Sequence, residues 1–77
     1  MQIVEVLWGD AWCSTGEVSL KKARKLKPIM RTSVGFLVAE NDEGITIAMD
    51  KYEKDDKNVH THAFIPWGWI ESYWVYV

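Results

Sequence analysis

The chain has 77 residues, 48% hydrophobic and 26% charged, with nine Lys and Arg against eleven Asp and Glu and a formal net charge of −2. A chain of this length buries only about 60% of the surface its unfolded form exposes, so residues 1–77 make one compact domain with a small core and little room for a catalytic cleft. The apolar share excludes a disordered segment, no run of about eighteen apolar residues exists to span a bilayer, and the lone Cys13 excludes an internal disulfide framework or a thiolate-built zinc site.

Met1-Gln2-Ile3-Val4-Glu5 carries a carboxylate where a secretory signal carries lysines ahead of an apolar run, which predicts a soluble, intracellular protein. Five Trp, three Tyr and two Phe favour pleated, half-buried surfaces and hence a mainly β fold. Over Gln2 to Trp8, apolar Val4, Val6 and Trp8 alternate with the other residues, the period of a strand with one face in the core. Ser14-Thr15-Gly16-Glu17 fits a capping box, and the Leu, Lys, Arg and Ala content from Glu17 to Lys27 predicts about three turns of helix, stopped by Pro28 and covering one side of the sheet.

Val34, Phe36 and Val38 then share one face of a long second strand, with Thr32 and Glu40 at the ends of the row. Gly35 in its middle predicts a bend, a bulge or a close backbone approach that lets the strand serve two sides of a barrel. Asn41-Asp42-Glu43-Gly44 is a turn, and Ile45, Ile47 and Met49 alternate along the third strand. Lys51 to Asn58 reads as a solvated loop, Val59 to Ile65 as a fourth strand, Pro66-Trp67-Gly68-Trp69 as a turn, and Ile70 to Val77 as a last strand. Without cover, Ser72-Tyr73-Trp74-Val75-Tyr76-Val77 would be a flat, uncharged edge, so barrel closure or a subunit contact should hide it. The expected fold is mainly β with one short helix between strands 1 and 2: a small five-stranded SH3-like (Sm-like) barrel.

Ile3-Val4-Glu5-Val6 with Trp8, Asp10 and Ala11, the block Thr32-Ser33-Val34-Gly35-Phe36-Leu37-Val38, the run Ile45-Thr46-Ile47-Ala48, and Ile65-Pro66 followed by Ile70 together resemble a family of small tailed-phage proteins. The order of elements resembles SH3-like and Sm-like barrels, but no acidic-aromatic peptide groove and no Sm RNA-binding motif is present. The resemblance implies a phage-encoded protein in the cytoplasm of an infected bacterial host. It assigns no catalytic residue.

Lys21, Lys22, Arg24, Lys25, Lys27 and Arg31 fall within eleven positions, whereas seven of the eleven acids lie between Glu40 and Asp56. A solvated face is one reading of the basic run. A phosphate-binding surface is the other, because like charges such as Lys21 and Lys25 disfavour an isolated helix unless an anion sits between them. On a helical wheel Lys21, Arg24 and Lys25 share a side and Lys22 lies on another. A core this small holds few indoles, each burying roughly 150 to 250 Å². Trp8 and Trp74, in strands, are expected to be structural, and Trp12, Trp67 and Trp69, in loops or turns, need a partner surface, a ligand or a local anchor. His60 and His62 share a strand face but lack the further ligands of a stable metal site, and Cys13 lacks any catalytic signature.

The expectation is a non-enzymatic binding protein, working as a homo-oligomer, without cofactor, metal or membrane association. Trp12, Trp67 and Trp69 with Lys21, Arg24, Lys25 and Arg31 would hold a phosphorylated, base-bearing ligand, either a host nucleotide (defence) signal that the protein sequesters or a short nucleic acid. The alternative is a protein-protein adaptor or inhibitor that engages a host or phage protein through exposed Trp residues.

Overall fold

In the computed structural model, which describes residues 1–54 and 57–76, the chain runs β1 (Ile3–Asp10), α1 (Leu20–Ala23), β2 (Ile29–Glu40), β3 (Gly44–Asp50), β4 (His60–Pro66), a 3-10 turn (Trp67–Trp69) and β5 (Ile70–Tyr76). Asp55 and Asp56 of the acidic run and Val77 of the last strand lie outside the described residues. All pairings are antiparallel, and the five strands form one open sheet in the order β4-β3-β2-β1-β5.

The period-two patterns translate directly into burial. Val4 and Val6 of β1, Ile45 and Ile47 of β3 and Ile65 of β4 form the core, each at most 1% exposed, with Trp8, Leu37, Ala63, Trp67, Ile70 and Val75 packed around them. β1 neighbours neither β3 nor β4, so their side chains meet only because the sheet curls over on itself. β2 makes the curl: it pairs with β1 over residues 29–36 and with β3 from Phe36 to Glu40, with a register shift between Leu37 and Ala39. At the changeover, a Cβ added to Gly35 would lie 2.7 Å from the carbonyl oxygen of Ala48, so only glycine lets the β3 backbone come this close.

That approach also decides which face of β2 turns inward. Gly35 and Leu37 face the core, and the apolar row predicted for β2 points away from it, with Val34 and Val38 exposed. The following turn is tied by Asn41, whose Oδ1 accepts from the Glu43 and Gly44 backbone N–H groups and whose own N–H donates to the Gly44 carbonyl. Gly44 is obligatory as well, since a Cβ there would overlap the Ile65 carbonyl.

Two expectations are corrected. The predicted barrel is not closed, because β4 and β5 end the sheet on opposite sides. β4 offers no uninterrupted ladder for closure: Thr61 takes the left-handed conformation (φ 50°), and the strand ends on Pro66, which has no N–H. The predicted three-turn helix reduces to Leu20–Ala23, capped by Ser19 rather than by the Ser14 box. Ser19 Oγ accepts from Lys22 N, and Ser14 Oγ accepts from Gly16 N in a local turn. After Ala23 the bonds tighten to the i−3 pattern, Lys25 N to Lys22 O and Leu26 N to Ala23 O. A helix this short depends on tertiary packing for its stability, and no residue of α1 is buried, so it covers no part of the sheet.

Candidate functional site

The 11–28 segment projects from the end of the β1–β2 hairpin, and apart from half-buried Ala23 all of it is exposed. It is pinned at its base by Trp12, whose Nε1 donates to the Lys27 carbonyl at 2.7 Å. This bond fixes the indole as one wall of a hollow of about 580 Å³, lined also by Val18, Lys22, Leu26, Lys27 and Pro28. Trp12 remains 41% exposed. Two lysines, Lys22 and Lys27, are therefore among the residues lining the hollow beside the indole.

Trp69 lies on the other side of the Ala11–Pro28 crossing, because those two residues line both the Trp12 hollow and a neighbouring one of about 340 Å³ with Met30, Trp69 and Glu71. Its ring stacks on Trp8 with centroids 6.3 Å apart and 12° between planes, and Trp8 is held in turn by its Nε1 donating to Ser33 Oγ at 3.0 Å. Stacking and the hydrogen bond make Trp8 a rigid backing for Trp69, which is 47% exposed. The Glu71 carboxylate makes this second hollow unsuited to an anion, which directs negative charge to the Trp12 side.

The predicted site residues divide accordingly. Trp12 and Trp69 are brought to adjacent hollows. Trp67 is drawn away: it packs against the core and Tyr73, and its Nε1 donates to the Asn41 carbonyl at 2.6 Å, clamping the 3-10 turn on the β2–β3 turn. Arg31 is committed to Asp10, its Nε donating to Oδ2 at 2.6 Å. Lys21, Arg24 and Lys25 are exposed and line no part of the Trp12 hollow. Lys22 and Lys27 do line it; the helical wheel set Lys22 apart, and a wheel drawn over eleven residues fails when the helix has four. Trp74, expected to be structural, is 66% exposed on the outer sheet face, paired with Glu5 of β1.

The remaining chemistry-bearing residues are dispersed. His60 and His62 are exposed on β4, with His60 edge-on to Tyr52 at 4.8 Å. Cys13 is free, exposed and borders the Trp12 hollow beyond β1. Among the described residues, no group of three or more His, Cys, Asp or Glu is placed to hold a metal ion. No helix among them is long and apolar enough to cross a membrane. Comparison with protein-family models, with curated proteins and with solved structures finds no match for the chain.

Proposed function

We propose that the protein is a non-enzymatic binding protein whose Trp12 hollow receives a phosphorylated, base-bearing ligand, with the base stacked on Trp12 and its phosphates met by Lys22 and Lys27. The observation that carries it is the Trp12 Nε1 bond to the Lys27 carbonyl, which holds a partly exposed indole in a hollow that Lys22 and Lys27 also line. Preorganisation of this kind lowers the ordering cost of binding, and stacking on an indole contributes about 1–3 kcal/mol per base. Sequestration of a host nucleotide signal in an infected bacterial cell is the biological setting this reading favours. The curled sheet, bent at Gly35, supports its description as an opened small barrel of the SH3-like or Sm-like type.

Titration with ADP and with a ten-residue oligothymidylate, read by tryptophan fluorescence and calorimetry at 50 and 200 mM salt, tests it. Saturable binding that weakens about 5- to 150-fold in Trp12→Ala, and whose salt dependence flattens in Lys22→Ala and Lys27→Ala, is expected. No binding of either probe at 50 mM salt would overturn it. The apolar lining of Val18, Leu26 and Pro28 favours one second reading, an adaptor or inhibitor that engages a protein through Trp12 and Trp69. Such a contact would lose mainly association rate in salt, whereas phosphate binding loses affinity.

A further inference from the structure

The chain exposes 6348 Å². A compact monomer of 8.9 kDa exposes about 4,800 Å². The surplus, about 1,500 Å², exceeds the roughly 800 Å² that each partner contributes to a standard protein interface. Its radius of gyration, 15.8 Å, likewise exceeds the value of about 11–12 Å for a globule of this length. Part of this surplus belongs to the projecting 11–28 segment, so the sheet edges, not the area, locate the surface to be covered.

The two sheet edges differ in how they are guarded. β4 carries the common protections, a kink at Thr61 and a terminal proline. β5 carries them only at its start, where Glu71 sits at a register shift against β1; beyond it Ser72-Tyr73-Trp74-Val75-Tyr76 has no charge, no glycine and no proline, pairs among the described residues only with β1, and leaves Tyr73, Trp74 and Tyr76 between 43% and 66% exposed. Barrel closure, one of two ways to cover this strand, is absent.

We infer that β5 is the dimer interface: two copies join edge to edge, β5 antiparallel to β5, into one continuous ten-stranded sheet. A second copy is the occupant because the uncharged run Ser72–Tyr76 meets its own image without repulsion and supplies the backbone donors and acceptors that the edge lacks.

Side-chain size sets the register. On the outer face small Ser72 alternates with large Trp74, beside a hollow of about 420 Å³ bounded by Glu5, Leu7, Ser72, Trp74 and Tyr76. A two-fold axis through Tyr73, perpendicular to the sheet, places Trp74 of each copy opposite Ser72 of the other and into that hollow. An axis through Trp74 would instead set indole against indole. The interface is independent of the ligand reading, since it uses β5 and not the 11–28 segment.

Sedimentation equilibrium at about 100 µM protein reads the mass. Twice 8.9 kDa is expected, and Trp74→Lys, at a site already exposed in the protomer, should keep the circular dichroism spectrum and weaken the dimer at least about thirtyfold, the threshold of an interface hot spot. Cysteine cross-linking in a Cys13→Ser background reads the register. Tyr73→Cys should oxidise to a covalent dimer, because directly opposed residues lie about 4.5–5.5 Å apart between Cα atoms, within disulfide reach. Trp74→Cys should not. If Tyr73→Cys loses the fold through its Trp67 contact, the double variant Ser72→Cys/Trp74→Cys reads the same register. A monomer at this concentration, an assembly of three or more copies, a dimer dissociation constant unchanged in Trp74→Lys across a dilution series, or a cross-link at 74 in place of 73 would each overturn the inference.

Discussion

Replacing Gly35 by alanine inserts one methyl group between two central strands. The new Cβ would lie 2.7 Å from the Ala48 carbonyl oxygen and 3.1 Å from its carbon, backbone atoms of β3 that cannot rotate out of the way. Alanine restricts the unfolded chain and on that ground alone would stabilise by about 0.4–1 kcal/mol. Overpacking opposes this with about 1–3 kcal/mol. Collision with backbone belongs at the upper end of that range, so the net loss is about 2 kcal/mol. A 77-residue domain has a total stability of about 4–12 kcal/mol, so the effect is large.

Urea unfolding at fixed protein concentration, followed by tryptophan fluorescence, measures it. With a slope of about 1 kcal/mol per molar, the midpoint should fall by about 2 M while the slope stays unchanged. Gly68→Ala is the control: a Cβ there meets nothing within 4 Å, and its midpoint should hold or rise. A Gly35→Ala protein that unfolds at the parental midpoint, or a Gly68→Ala protein that falls equally, would refute the close-approach account.

Thr61 is β-branched and left-handed, at about 1–2 kcal/mol of strain. Thr61→Gly relieves this at about 0.5–1 kcal/mol of chain entropy, so thermal unfolding should move up by several degrees; a lower midpoint would show that the threonine side chain outweighs its strain. Trp67→Phe keeps a ring against Tyr73 and deletes the Nε1 donor to the Asn41 carbonyl, which should cost about 0.5–1.5 kcal/mol in urea and speed amide exchange at Asn41 and Gly44. Ser19→Ala removes the N-cap of α1, and because no α1 residue is buried, exchange at Lys22 should accelerate while global stability stays within about 0.5 kcal/mol; a global loss above about 1 kcal/mol would mean that α1 packs on the sheet.

Alternation of apolar residues and β-propensity are local properties: alternation located the first four strands, and the aromatic and β-branched run after Trp69 located the fifth. Val4, Val6, Ile45, Ile47 and Ile65 were legible as inward-facing because each belongs to a row of large apolar residues two apart, even where, as at Gly44 and Ala48 of β3, small residues on the other face are buried as well. The turn at Asn41–Gly44 was legible for a similarly local reason, as its side-chain and backbone hydrogen bonds close within four residues. β2 shows the limit. Its period marked a strand, but a period of two is equally satisfied with either face inward, and Val34 and Val38 ended outside because β3 had to approach Gly35. Of the candidate residues, Trp12 and Trp69 stand at hollows, Trp67 found an acceptor 26 residues away, and Lys22 and Lys27, not Lys21, Arg24 and Lys25, line the Trp12 hollow, because the helix is a single turn.

By itself, then, the amino-acid order determined a mainly β chain, its five strands, its glycine-dependent bend and a basic segment after β1, all set by neighbours along the chain. Tertiary structure alone decided which indoles stay accessible, which lysines border Trp12, and that the sheet stays open with β5 bare. Those outcomes depend on contacts between residues far apart in the chain, where a carbonyl, a ring or a strand edge becomes available only after the sheet has curled.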